Sequence, residues 1–580
     1  TTSNSISDAE QVLCLMYPAA EVVDFKLDVP DETAEDVLAA LKVMGDSVEI
    51  PKLLIDVLTN YMSIYLSESG TPIFSAGSYF QPRDPDAELT SQQRALDVVD
   101  SFATSISLAL STLGFLKVFS RSVRRPELRA KISRLEEVTS NRLSAAMVGL
   151  LRSFTVNVFE PDSTAGRALI RTINQNRLSE RTVLKDLTRR LQPTRASLRD
   201  AILGLSQDDR LDNENMLFEC GWSWSVVRGA PAIETLEPIG VQPEGVAIGA
   251  PYLYFTVVAL DGIADLFSER VRVLGLLNAE QQRLAQALQV RWDVTMGYWS
   301  AIARFGDGRW PLEDLPWRTT DEEESDYFSL LVTAVVLLDL LARRATDDDL
   351  TRTVAVLEEL AARGRINRRV MRDDPAIGLH APGVQLELVG SEDHGPPMIW
   401  TVADFAALLL KRSVRAAGLS RNTNARDRLL AVAEDALGHL WSRRLKTGPA
   451  TGLWDDPSEL FPGMFPSEDG PSWYLTERVV ECLVMAAHMV DEPPIRSPQL
   501  IELTVDLLSE ADHLFGQDLL AAAENGGSAM HASLERIEAR LERARRMVTE
   551  RPGTAFALVN EVLRELDGFA LARSDAARGA

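Results

Sequence analysis

The sequence predicts an all-α fold made of paired helical repeats. Three observations carry this expectation. Apolar residues recur at helical spacing through most of the chain, Ala- and Leu-rich strings show little β-branched alternation, and similar helix starts return at a long, regular interval. With 580 residues and 46% apolar content, the chain has material for several packed layers.

The first helix start is Ser3-Asn4-Ser5-Ile6-Ser7-Asp8-Ala9-Glu10, leading into Val12, Leu13, Cys14 and Leu15. A second buried helix is expected over Thr90 to Leu116. Lys117 to Asn215 departs from this pattern, because it is rich in arginine within a chain of formal charge −25. Arg121, Arg124, Arg125, Arg129 and Lys131 open it, and Arg189, Arg190, Arg195 and Arg199 follow on amphipathic stretches. It is read as a basic helical insertion.

Helix starts resume at Ala250-Pro251-Tyr252-Leu253-Tyr254-Phe255. They return at Glu324-Ser325-Asp326-Tyr327-Phe328, at Pro397-Met398-Ile399-Trp400-Thr401-Val402-Ala403-Asp404, and at Gly470-Pro471-Ser472-Trp473-Tyr474-Leu475-Thr476-Glu477. Their period is roughly 73 to 75 residues. Ser325 to Leu341 is apolar on most faces, as a helix buried on both sides must be. Thr351 to Arg363 and Asp427 to Arg443 show the narrower stripe of a helix with one wet side. Alternation typical of a strand is confined to Gly383 to Val389. From about Ser497 a helical extension follows, with a charged helix over Ser533 to Val548.

An inner helix paired with an outer one, six times over, predicts an α/α toroid; an open α-solenoid is the alternative. The expected divisions are 1–116 (repeats 1 and 2), 117–215 (basic insertion), 216–496 (repeats 3 to 6) and 497–580 (extension).

The start at Ser3 to Gln11 and the unit from Trp454 to Glu477 resemble a family of uncharacterised actinobacterial proteins, over most of the chain. That resemblance implies no active site. The Gly-x-Trp loops followed by Pro-Ser-Trp-Tyr resemble α/α-toroid proteins such as class II terpene cyclases and protein prenyltransferase β subunits. This likeness implies a fold and little else.

Motifs of the frequent chemistries are incomplete or missing in the sequence. Asp347-Asp348-Asp349 and Asp455-Asp456 lack the Asp-x-Asp-Asp spacing of an alkene-protonating acid; the first suits a helix start, the second a turn. Asp208, Asp209 and Asp212 match the letters of an Mg²⁺-holding Asp-Asp-x-x-Asp box, but they sit in a polar stretch without a second box, so no metal or cofactor is expected. The six histidines form no zinc pattern, and His488, on an apolar helix, reads as a core residue. Phosphate-binding glycine loops and a Gly-x-Ser-x-Gly elbow are missing from the sequence.

What remains is the set of polar residues at the inner helix starts. Asp8, Glu10, Asp326, Asp404 and Glu477 are the catalytic candidates, beside the helix-start residues Ser5, Gln92, Ser472 and Thr476. Tyr252, Tyr254, Tyr327, Trp400, Trp473 and Tyr474 are expected to line the same central cavity.

Two functional readings follow. The first is an interaction or scaffold protein that docks a protein partner, or a second copy of itself, through Arg121, Arg124, Arg125, Arg129, Lys131, Arg189 and Arg190. The second is a toroid enzyme using the converging carboxylates on a small isoprenoid-like or carbohydrate-like ligand. Nucleic acid is not expected, given the acidic balance and the lack of interleaved aromatic and basic residues. No membrane span is expected, and three scattered cysteines point to a cytoplasmic setting. The chain opens on Thr1, which implies a missing or processed N-terminus.

Overall fold

The computed structural model describes residues 4–202, 209–342, 346–366, 370, 373–420, 422–461, 470–491, 498–525, 528–549 and 551–578. The chain divides into two compact units, Thr1–Ala487 and His488–Ala580. Both are mostly helical, in line with the all-α expectation.

The main helices of the first unit are α1 (Ser5–Glu21), α2 (Glu49–Ile64), α3 (Val99–Phe119), α4 (Pro126–Ser153), α5 (Thr164–Ile173), α6 (Glu180–Ile202) and α7 (Leu253–Leu266). They continue with α8 (Ala279–Ala303), α9 (Asp326–Ala342), α10 (Asp347–Arg363), α11 (Phe405–Leu419), α12 (Thr423–Ser442) and α13 (Trp473–Asp491). Caps fix several starts. Asn4 accepts from the Ile6 and Ser7 amides ahead of α1, and Asn278 and Gln281 form a reciprocal capping box at α8.

Packing follows apolar content. In α3 nearly every side chain from Val99 to Leu116 is buried, and the helix contacts α1, α4 and α7. The same holds for α9 from Tyr327 to Leu340, which packs against α7, α8, α10 and α11. By contrast, α10 buries Leu350, Thr353, Val354, Val356, Leu357, Leu360 and Ala361 and leaves Ala355 and Glu359 exposed, as an outer helix with one wet side does. Helix α3 is long and apolar enough to cross a membrane by length and composition, yet it lies among other helices.

Two sequence expectations need correction. The helix expected from Thr90 begins at Val99, and Gln92 belongs to a separate turn over Ser91–Arg94, where its side chain meets the His394 ring at 3.0 Å. The capping box of Thr90 and Gln93 closes that turn and isolates it from α3. His488 is exposed rather than a core histidine; among the described residues the buried ones are His380 and His439, with rings 4.7 Å apart.

The segment expected as a basic insertion is packed deeply in part. The second half of α4 is buried, and Arg142 within it is 2% exposed. Its guanidinium donates to Tyr61 Oη, Ser105 Oγ and the Ile73 carbonyl, all neutral acceptors. Arg195 likewise serves the carbonyls of Leu211, Asn213 and Met216.

Strands are few and short. β1 (Phe80–Pro82), β2 (Phe154–Phe159), β3 (Leu217–Trp222), β4 (Trp317–Arg318), β5 (Glu324–Ser325), β6 (Val384–Glu387) and β7 (Met398–Val402) form three small antiparallel sheets. In the first, β7 lies between β1 and β6, and Trp400 pairs with both Phe80 and Leu386. Gly383 enters β6 at φ +102°, where any Cβ would strike the Val402 carbonyl. β2 pairs with β3 from Phe154↔Trp222 to Phe159↔Leu217.

The second unit carries α14 (Pro498–Asn525), α15 (Ser528–Met547) and α16 (Pro552–Arg578). Leu508, Ala511, Ile537, Leu541, Val559, Val562 and Leu566 form its core. The Arg540–Glu565 and Arg545–Asp512 ion pairs lie outside that core.

Candidate functional site

Six helices of the first unit bring their N-terminal portions to one buried polar cluster. Arg478 on α13 is its hub. The guanidinium reaches Glu10 of α1 at 3.1 Å, Asp404 before α11 at 3.3 Å, its neighbour Glu477 at 3.4 Å and Asp100 of α3 at 3.7 Å. It also lies 3.7 Å from the centre of the Tyr474 ring. Three tyrosines supply the remaining donors. Tyr79 donates to Glu10 at 2.5 Å, Tyr254 of α7 to Asp100 at 2.6 Å, and Tyr327 of α9 to Asp404 at 2.7 Å.

The charge balance at this cluster is uneven, with four carboxylates around one cation. Burial pushes Glu10 up to about 7 against the pull of Arg478. It pushes Glu477 up to about 8, again against Arg478 and with repulsion from Glu481 and Glu10. Glu10 and Glu477 therefore take up protons near neutral pH, as expected for like charges crowded in a poorly solvated place.

Further along the same helices the balance reverses. Arg412 of α11 grips Asp261 of α7 with two bonds, at 2.9 and 2.7 Å, while Lys411 bridges Asp261 at 3.0 Å and Glu481 of α13 at 2.8 Å. Burial alone would raise Asp261, but Arg412 and Lys411 outweigh it and hold the carboxyl well below its usual range. One turn on, Asp265 takes a hydrogen bond from Ser107 and is pushed up to about 7 by burial.

The structure thus brings together Glu10, Asp404, Glu477, Tyr254, Tyr327 and Tyr474 from the expected set, and leaves others elsewhere. Asp8 accepts from Tyr65 at 2.7 Å, and Asp326 pairs with Arg363 at 2.8 Å; neither forms a described contact with Arg478. Trp400 stands within β7, packed edge-on against Tyr79 and Phe80, not at a helix start. Trp473 is half-buried, and Tyr252 lines a separate cleft.

Among the basic candidates, Arg121, Arg124 and Arg125 are exposed, with no ion pair among the described residues. Arg129 donates to the Val123 carbonyl, Lys131 pairs with Asp56, Arg189 pairs with Asp186, and Arg190 lies 6.0 Å from the Phe305 ring centre. No described contact joins Arg189 and Arg190 to the other group. Of the metal candidates, Asp208 and the side chain of Asp209 lie outside the described residues, and Asp212 pairs with Arg199 at 2.7 Å. Among the described residues there is no group of acids, histidines or cysteines arranged to hold a metal.

Sequence reasoning missed Arg478, Asp100 and Tyr79. Arg478 follows Glu477 directly and was open to detection as the cation an inward-facing acid cluster needs. Asp100 was hidden by the misplaced start of α3.

No curated protein and no solved structure matches the chain. A family model described as SCO2524-like matches residues 1–577, and the chain therefore belongs to the SCO2524-like family.

Proposed function

We propose that the protein is a cytoplasmic helical-repeat interaction protein of a multiprotein system, docking an acidic protein surface through the start of α4. One observation carries this reading: Arg121, Arg124 and Arg125 stand exposed, with no ion pair among the described residues, where the 28-residue helix α4 begins. A helix N-terminus already carries partial positive charge, so exposed guanidinium groups beside it add to a field that attracts an incoming anion. The chain's own charge of −25 makes a second copy a suitable acidic partner.

The same reading takes the body as a closed α/α toroid. Its support is the chain of contacts α1–α3–α7–α9–α11, extended to α13 by Lys411–Glu481 and back to α1 by Arg478–Glu10. Three free cysteines are in keeping with a reducing compartment.

The test is self-association of the full chain, followed by light scattering at low and high salt, for wild type and Arg121→Gln/Arg124→Gln/Arg125→Gln. Wild type should associate at low salt and dissociate at high salt; the variant should stay dissociated, with stability changed by less than about 0.5 kcal/mol. Self-association that the triple variant leaves intact would overturn the docking surface. If the wild type stays dissociated at both salts, a second copy is not the partner.

A second reading, an enzyme acting through the central carboxylates, is favoured by the convergence of Glu10, Asp404 and Glu477 with two groups poised near neutrality. Against it, every one of those carboxylates is already engaged by Arg478 or a tyrosine.

A further inference from the structure

Beside the central cluster, and separate from the basic surface, lies a cleft of about 180 Å³ that neither reading uses. It opens between the start of α7, the end of α8 and the turn joining β4 to β5. Tyr252, Tyr298, Trp299, Trp317 and Phe328 contribute to its walls. These rings are fixed in place. Trp299 Nε1 donates to the Cys220 carbonyl at 3.1 Å, Tyr252 Oη donates to the Glu387 carbonyl at 2.8 Å, and Tyr298 packs against Phe218 and Trp299.

The charge of the cleft is one-sided. Glu219 of β3 lies at its buried end, 6% exposed, and accepts only neutral donors, Asn157 Nδ2 at 3.2 Å and Thr320 Oγ1 at 3.0 Å. Asp321 and Glu323 line it from the exposed turn and form no ion pair among the described residues. The other charged lining groups are spent, since Arg318 pairs with Glu324 and Glu387 with Arg83. A fully buried carboxylate without a counter-ion is costly to keep. The cleft thus combines aromatic walls, a buried carboxylate and two exposed acids, which suits a ligand with cationic and hydrocarbon parts.

We propose that this cleft binds a small aliphatic diamine, one ammonium on Glu219, the other at Asp321 and Glu323, with the methylene stem against the aromatic rings. Rings held rigidly around a cation supply both cation–π attraction and low ordering cost. A divalent metal fits less well, because it demands a shell of oxygens that the rings displace. Burial pushes Glu219 up to about 7, and the groups facing it are Asn157 of β2, Thr320 and Asp321 of the turn, and Tyr298 of α8. None of them is a cation, so ligand capture must displace a proton and should strengthen between about pH 6 and 8.

The test is calorimetric titration of the full chain with 1,4-diaminobutane, compared with butylamine, butane-1,4-diol and Mg²⁺. Saturable binding of the diamine, with butylamine at least about tenfold weaker and the diol silent, is the expected result. Glu219→Gln, checked for folding by circular dichroism, should weaken binding about tenfold or more and abolish its pH dependence. Should that variant not fold, Asp321→Asn/Glu323→Gln serves instead, on the exposed rim, and should weaken the diamine but not butylamine. Absence of diamine binding, equal binding of the diol or Mg²⁺, or full binding by the folded variants would each overturn the proposal.

Discussion

Two polar layers between the same helices behave in opposite ways. Around Arg478, four carboxylates share one cation, and Glu10 and Glu477 are held partly protonated near neutral pH. Around Asp261, the carboxylate faces Lys411, Arg412 and Arg415 and stays ionised, while Glu481 shares Lys411 and Asp265, one turn on, is pushed up to about 7 by burial. The first layer is the more deeply buried, its carboxylates 1% to 9% exposed against 20% for Asp261, and it also has fewer cations within reach, so depth and local stoichiometry together decide how the carboxylates respond to pH.

The sharpest way to break this contrast is Arg478→Met. It removes the one cation that pairs with these four carboxylates among the described residues, and should cost about 3–5 kcal/mol at pH 8, read from the denaturant midpoint. Below about pH 5 the loss should shrink, because the stranded carboxylates can take protons. A pH-independent loss would mean that Arg478 acts by packing alone.

Next comes the pH profile itself. The folded values of Glu10 and Glu477 lie above the unfolded value of about 4.3. Between those limits the folded state binds more protons than the unfolded one, so stability falls as pH rises from about 5 to 8. Glu477→Gln should flatten that fall by roughly 3 kcal/mol over the window. An unchanged slope would place the proton elsewhere.

The smallest effect is expected in the second layer. Lys411→Met leaves Arg412 gripping Asp261, so the cost should be about 1–2 kcal/mol. A loss as large as that of Arg478→Met would show that the layers are equally dependent on single cations.

Much of the helical pattern was legible in the sequence, because helices buried on all sides leave long apolar runs such as Tyr327 to Leu341. The carboxylates were harder to sort. Asp326 and Tyr327 are adjacent, yet one meets Arg363 and the other the central cluster, since each helical step turns a side chain by about 100°. Asp8 and Glu10 part company for the same reason. The β2–β3 ladder also escaped notice. Its Phe-Thr-Val-Asn-Val-Phe run carries a β-branched signal, but the helices flanking it dominate the window. The family expectation held, and it named no chemistry to check against the site.

The near-total apolarity of α3 has a consequence for synthesis. One of its packing partners, α7, lies roughly 140 residues further along the chain. At ribosomal rates of about 5–20 residues per second, α3 therefore waits on the order of ten seconds for that partner. During that wait its composition is what a membrane-insertion machinery or a chaperone would capture. The nascent chain must shelter α3 against α1 and α4 first, so early docking of those two helices governs the yield of folded protein.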